Sequence, residues 1–451
     1  MKKNTLFAAA LIAMLVAILT SCYKDNVFEQ DVKIGEESTP DTSSVNAVAP
    51  VRYVTLGEAR QQLENILSEM DLSISKSGRV RRISSAFTLS SDVRTLKKSS
   101  SEDETEDVCV HVFNFEDEGG VAFMSATTAT PPLLALTEDG CIDTTKEIDN
   151  PGMIFFLERL EDYLTDVNNT LVDYDTSVSL SKKFIQTEVF DFYAPKNGYC
   201  KVHWGQESPY NMYCTYSKKI YGDTRTGCTA TALTQFLSVM KYPKAYKGYS
   251  FDWDKMIEGK NDDKVARMMQ LVGTSENIEA SYGDLSKNEG TGGDFDNIPR
   301  TLKNLGFSSG GSISDYNTSK IISELKQGNC VLISGYAHIK KPALYVCGIR
   351  VRKTTYKSGH TWLIHGGFTL TTKIYSSHSP AGKKYRNSVD SYVLCNFGWD
   401  GTADGYYWSG VFDTNDGPDF DEAYYPTKLS KNYEKDYWYQ YKLEMLTGYE
   451  R

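Results

Sequence analysis

The sequence predicts an α+β fold. Helical segments open its larger part, and from Cys330 onward the pattern turns to strands of antiparallel character. Tyr (30 residues), Gly and Thr are abundant, which favours strands and turns over a helical bundle. The 451 residues suffice for two or three domains, at roughly 150 residues each.

The first 22 residues stand apart from the fold. Residues 1–4 carry positive charge, and residues 6–20 form an apolar run too short for a comfortable membrane span. The run ends in Leu19-Thr20-Ser21-Cys22, which resembles a bacterial lipobox. On that resemblance residues 1–21 are a lipoprotein signal peptide and Cys22 becomes the acylated first residue of the mature chain. An ordinary secretory signal peptide is the alternative, and either one takes the protein out of the cytoplasm. The expected location is the cell envelope, lipid-anchored at the outer membrane. Residues 22–50 are polar and rich in Ser, Thr and Pro, as a flexible tether would be. No other apolar run approaches 18 residues.

Residues 51–180 read as a small α+β unit. Ala59, Leu63, Ile66, Leu67 and Met70 form one helical stripe over 55–74, and Thr55 with Glu58 has capping-box spacing. Two strand-like runs flank an acidic Gly-Gly turn after Val108, Leu133–Leu136 reads as another strand, and a second helix starts near Met153. Lys182 and Lys183, in the connector that follows, form a plausible cleavage point or two ordinary surface lysines.

Residues 181–451 form the second unit. Helices are expected over 229–240, near Pro299, and from Thr318 to a stop at Gly328. CVLISGY, ALYVCGIRV, TWLIHGG, FTLTTKIY, SYVLCNFGW and GYYWSGVF read as strands. The segment from Asp419 carries no readable role.

A net charge of −10 with no basic tract beyond the N-terminus argues against nucleic acid as a partner. The nine cysteines are widely and irregularly spaced with no C-x-x-C, so a zinc ribbon is not expected. Cys200 and Cys214 are near enough in sequence to be bridged, a matter of geometry that sequence leaves open.

Chemistry concentrates at Cys228 and His360. Cys228 follows Gly227 at the head of an apolar helix, where free N–H groups stabilise a thiolate and can donate to a developing oxyanion. The base is one of six histidines. His360 follows a Gly and opens a strand, so its side chain can enter a cleft. His365, five residues on, points to the other side of a regular strand, with His338 and His203 as the remaining alternatives. Asn396 is the candidate for orienting the imidazole and Trp399 for shielding it; a turn residue and plain core packing are the bland alternatives. Gln206 lies on the loop ahead of the catalytic helix. It can donate to an oxyanion, although from residue chemistry alone an ordinary loop Gln is the commoner case.

The stretches WGQESPYN, GCTATALTQFLSVMKYPKAYKG, SGHTWLIHGG and NFGWDGTADGYYW, in that order, resemble the streptopain family of papain-like cysteine peptidases. VFNFEDEGGVAFMSATTATPPLLALTEDG resembles the family's inhibitory propeptide. The resemblance implies a two-lobed peptidase, helical lobe then sheet lobe, over 181–451. It implies a zymogen propeptide over 51–180, acting as an intramolecular inhibitor. It assigns the nucleophile to Cys228, the base to His360 and the oxyanion hole to Gln206 with the Cys228 N–H. Asn396 and Trp399 fall in the segment lining the His side. Protein or peptide is the implied substrate, and no metal or organic cofactor is required. Phe397 stands where the family's first Trp is usual, His365 where an Asp is common, and about 20 residues are inserted ahead of Gly359. Another thiol acyl-transfer enzyme, or a non-catalytic binding lipoprotein on a peptidase scaffold, are the competing expectations.

Overall fold

The computed structural model describes residues 53–74, 81–90, 108–127, 130–172, 186–214, 216–217, 222–283, 291–337, 345–346, 349–350, 359–375, 385–413 and 441–451. The signal peptide, the tether, Cys22, Lys182, Lys183, His338, His378 and most of the inserted segment lie outside them. All described residues belong to one contact unit, Val48–Arg451.

Helix α1 (Leu56–Ile74) starts at the expected capping box: the Thr55 N–H donates to Glu58 Oε2 at 2.9 Å, and the Glu58 N–H to Thr55 Oγ1 at 3.3 Å. Its predicted stripe is the buried face. Strands β1 (Ile83–Ser90), β2 (Val108–Phe115), β3 (Val121–Ser125) and β4 (Leu133–Thr137) form an antiparallel meander. Helix α2 (Pro151–Val172) begins two residues before the expected start, because Asn150 caps it: its Oδ1 accepts the Gly152 and Met153 N–H groups.

The second unit contributes β5 (Gln186–Tyr193), α3 (Cys228–Met240), α4 (Trp253–Ile257), α5 (Asp262–Val272), α6 (Ile298–Asn304), β6 (Ser309–Asp315), α7 (Thr318–Lys326) and β7 (Val331–Ala337). It continues with β8 (His360–Tyr375), β9 (Tyr385–Asn396), β10 (Gly405–Trp408) and β11 (Tyr441–Glu450). The two strands read at TWLIHGG and FTLTTKIY are thus one 16-residue strand. A register shift between Ile364 and Gly367 marks where β8 changes neighbours, from β7 to β5.

The 11 strands make one sheet, ordered β1-β2-β3-β4-β10-β9-β8-β7-β11-β6, with β5 paired to β8 off this path. The junction of the two sequence units is itself a strand pair, with Gly405, Tyr406 and Tyr407 of β10 opposite Thr137, Leu136 and Ala135 of β4. The expected boundary near residue 180 lies outside the described residues.

Side-chain alternation gives the sheet two buried faces. Leu332, Leu363 and Leu446 pack against the helical lobe of α3, α5 and α6. Ile333, Trp362, Ile364 and Met445 face the opposite core, which they share with α1, α2 and the β1–β4 meander. Phe156 of α2 joins the units edge-on, with ring centroids 4.8 Å from Tyr407 and 5.9 Å from Phe123. Replacing this fully buried ring leaves a large cavity, so Phe156→Ala should destabilise the full chain by about 3–5 kcal/mol. A urea midpoint unchanged from the parent protein would show that the shared core is not cohesive.

Candidate active site

Helix α3 is buried on nearly all sides, so its N-terminus is delivered rigidly to the sheet. Gly227 caps it at φ 87°, a conformation that L side chains rarely adopt, and an added Cβ would lie 2.9 Å from the Thr291 carbonyl oxygen. The first intrahelical bond runs from the Thr231 N–H to the Gly227 carbonyl, at 3.1 Å. The N–H groups of Cys228, Thr229 and Ala230 therefore have no partner within the helix, and they direct positive dipole toward the thiol.

His360 opens β8 beside this helix start. The two elements are pinned next to the dyad by a hydroxyl pair, Thr229 Oγ1 to Thr361 Oγ1 at 3.1 Å. Burial pushes the Cys228 thiol up. The hydrogen bond and charge of His360, the Thr361 N–H and the Thr229 hydroxyl outweigh it, bringing the thiol down to about 7. Cys200 shows what burial does unopposed by an imidazole: its thiol is pushed up to about 12. Among the described residues Cys200 and Cys214 form no disulfide.

The imidazole is held by main chain. His360 Nε2 lies 2.9 Å from the Phe397 carbonyl oxygen. That atom only accepts, so Nε2 carries the proton and Nδ1 is left for the thiol. Trp362, two residues along the same strand face, stacks near-parallel to the imidazole with centroids 6.1 Å apart, and Phe397 lies at 6.2 Å.

Asn396 acts one bond away from its expected place. Its Oδ1 accepts the Gly398 N–H at 3.0 Å, and its Nδ2 donates to the Val202 carbonyl at 2.8 Å. It thus fixes the peptide plane whose carbonyl receives the imidazole proton. Trp399 also differs from expectation. Gly398, at φ 68°, turns the chain, and Trp399 packs under the Arg225 guanidinium, 5.0 Å from its ring centroid. The rings against the imidazole are Trp362 and Phe397. Trp362 had a legible signal, since His-x-Trp on one strand places both side chains on one face.

The buried Gln206 sits where its carbonyl accepts the Thr226 N–H at 3.0 Å, two residues before Cys228. This lays the Gln206 loop along the run leading into α3. Trp204 anchors the same loop, its carbonyl accepting from Gln235 Nε2 at 3.0 Å. His365 does not join the site. The Cys200 N–H donates to its Nδ1 at 3.1 Å, and burial, with the charge of His203, takes the ring down to about 3, so it is neutral. His111 lies in the first unit between Thr88 and the Val54 carbonyl. Among the described residues no cluster of His, Cys, Asp or Glu could hold a metal, and no helix is long and apolar enough to cross a membrane.

The thiolate fraction of Cys228 should rise through about pH 7, read as the pH dependence of its alkylation by iodoacetamide. In His360→Gln burial acts without the charged partner, so the midpoint should move up by more than one unit. Coincident curves for the two proteins would remove His360 as the source of the depression.

The chain was compared with known proteins. Residues 204–407 match the Peptidase C10 family. No curated protein matches the chain. Among solved structures it is similar to a Prevotella intermedia prointerpain A fragment, at 20% identity and a TM-score of 0.45 over 80% of this chain and 98% of that one. It is also similar to active wild-type interpain A cysteine protease of the same organism, at 23% identity and a TM-score of 0.33 over 48% and 85%. The segment that carries Gln206, Cys228, His360 and the Phe397 turn is thus the segment that matches the Peptidase C10 family.

Proposed function

We propose that the protein is a cysteine endopeptidase acting outside the cytoplasm, made with an N-terminal inhibitory unit. The observation that carries this reading is the Cys228–His360 contact at the start of α3, with the thiol lowered to about 7. Near neutral pH such a site holds a substantial fraction of thiolate, with the imidazole beside it placed for proton transfer.

Cys228 Sγ attacks the peptide carbonyl carbon, and the oxyanion meets the Cys228 N–H and the Gln206 side-chain amide. The C–N bond breaks as His360 passes its Nδ1 proton to the leaving amine. Water then adds to the thioester, giving a proton back to His360, and the carboxylic acid leaves as the thiolate is restored. The Phe397 carbonyl holds the Nε2 proton throughout, so only Nδ1 exchanges protons with the reaction.

An inhibitory role for the first unit is supported by its contact behind the dyad. A Cβ on Gly152 of α2 would lie 2.1 Å from the Phe397 ring, and Phe155 packs 5.6 Å from Trp362 between centroids. Removal of the unit frees both rings that pack on His360. The lipobox-like Cys22 supports a lipid anchor in the cell envelope, and cleavage near Lys182 would part the catalytic unit from it.

Residues 23–451 and a Cys228→Ala version, incubated under reducing conditions, test the reading by intact mass and by cleavage of an unfolded protein substrate. Loss of about 150–180 N-terminal residues, judged from the domain-size expectation, and substrate cleavage should occur only with Cys228 present. No cleavage after trimming near Lys182 with an added protease would sink the peptidase reading. Gln206→Ala should lower kcat by about 10²–10³-fold with little change in KM, the size of a lost oxyanion donor.

A further inference from the structure

An ionisable pair with no part in the thiol chemistry lies directly behind His360. His203 Nδ1 is 3.1 Å from Asp404 Oδ2. The other carboxylate oxygen, Oδ1, accepts the Phe397 N–H at 2.9 Å, and the Phe397 carbonyl receives the His360 Nε2 proton at 2.9 Å. Asp404 therefore fixes the peptide plane before Phe397, and Asn396, through the Gly398 N–H, fixes the plane after it. A carbonyl gripped on both sides offers the imidazole one direction only.

The pair also joins the two halves of the site. His203 lies three residues before Gln206. From Cys200 to Gly205 the chain is fastened to the sheet lobe at successive points. Cys200 bonds His365, Val202 bonds Asn396, His203 bonds Asp404, and the Gly205 main chain bonds the Asp400 carboxylate.

We propose that Asp404 is a positioning residue for His360, acting through the Phe397 peptide, and that His203 sets the strength of this hold by pinning the other carboxylate oxygen with a charge-assisted hydrogen bond. The inference rests on the peptidase reading of Cys228 and His360. The exposures give each partner its part: the His203 side chain is 56% exposed and exchanges protons with solvent, whereas Asp404 is 3% exposed and depends on its partner. Burial pushes the Asp404 carboxyl up and the His203 hydrogen bond opposes it. His203 is raised by its hydrogen bond to Asp404, against the pull of burial, and further by Glu138 and Asp139 on the loop after β4. His365, which also faces it, is neutral. A raised imidazole is charged at lower pH and discharges as pH climbs through its raised value; Asp404 stays ionised but loses its charged partner, so the hold is firm on the acid side and slackens with rising pH.

The test is alkylation of Cys228 by iodoacetamide in the full chain, followed by the mass of the Cys228 peptide across pH 5–9, for the parent protein, Asp404→Asn and His203→Gln. The same variants, once activated, give kcat and KM. Asp404→Asn should slow alkylation near neutral pH and lower kcat by about tenfold, the worth of a hydrogen bond to a charged group, with KM nearly unchanged. His203→Gln should move the alkylation midpoint the same way by a smaller amount. His203→Lys, charged at all these pH values, should restore it. If both loss-of-charge variants lower the thermal midpoint but leave the alkylation profile and kcat at parent values, the pair is a structural brace and the proposal is overturned. His203→Gln removes a half-exposed group, so it keeps the test open should Asp404→Asn fold poorly. Alkylation reads the dyad whether or not peptide is cut, so absent cleavage by the parent protein would count against the peptidase reading alone.

Discussion

One hydrogen bond, from His360 Nε2–H to the Phe397 carbonyl, is the constraint on which the rest of the site depends. It fixes the tautomer, and the tautomer decides which nitrogen meets Cys228. A carbonyl acceptor adds no charge of its own, so the field at the imidazole comes from the thiolate and from more distant groups. Its direction must be supplied by the surrounding turn, and that is where Asn396 and Asp404 act.

The turn is held because the sheet has two buried faces. The helical lobe fixes Cys228 from one side through α3, whose own surroundings leave it little freedom. The opposite core sets Trp362 and Phe397 beneath the imidazole and is closed by α2 of the first unit. The unit read as inhibitory is therefore also part of the packing that supports the base. Its strand β4 extends the sheet at β10, immediately after Asp404. The junction of the two units and the turn that holds the imidazole are thus neighbours along the backbone.

Parts of the fold were legible where local chemistry and tertiary packing agree. The capping box at Thr55, the amphipathic stripe of α1 and the apolar run of α3 each specify their element without help from elsewhere. β11 was not legible. It carries Lys442 and Glu444 among its apolar residues and pairs between β7 and β6, so its burial comes from its neighbours. β6 contains a single large apolar residue, Ile313, and exists because β11 offers it an edge. The reading of β8 as two strands followed the Gly366-Gly367 signal. A bulge at a change of strand partner absorbs those glycines instead.

The sequence by itself determined which groups are the candidates for the chemistry. A Cys after Gly at the head of an apolar helix, a His after Gly at the head of a strand, and a Gln on the preceding loop are local signals whose reasons are electrostatic and steric. Tertiary structure decided what surrounds them. Whether Asn396 touches the imidazole or the peptide beside it, whether Trp399 or Trp362 forms the stacking surface, and whether His203 is a spare imidazole or the partner of a buried Asp404 all depend on how one turn is folded. The atoms involved are backbone carbonyls and amides, which every residue possesses. No side-chain pattern can announce where they point.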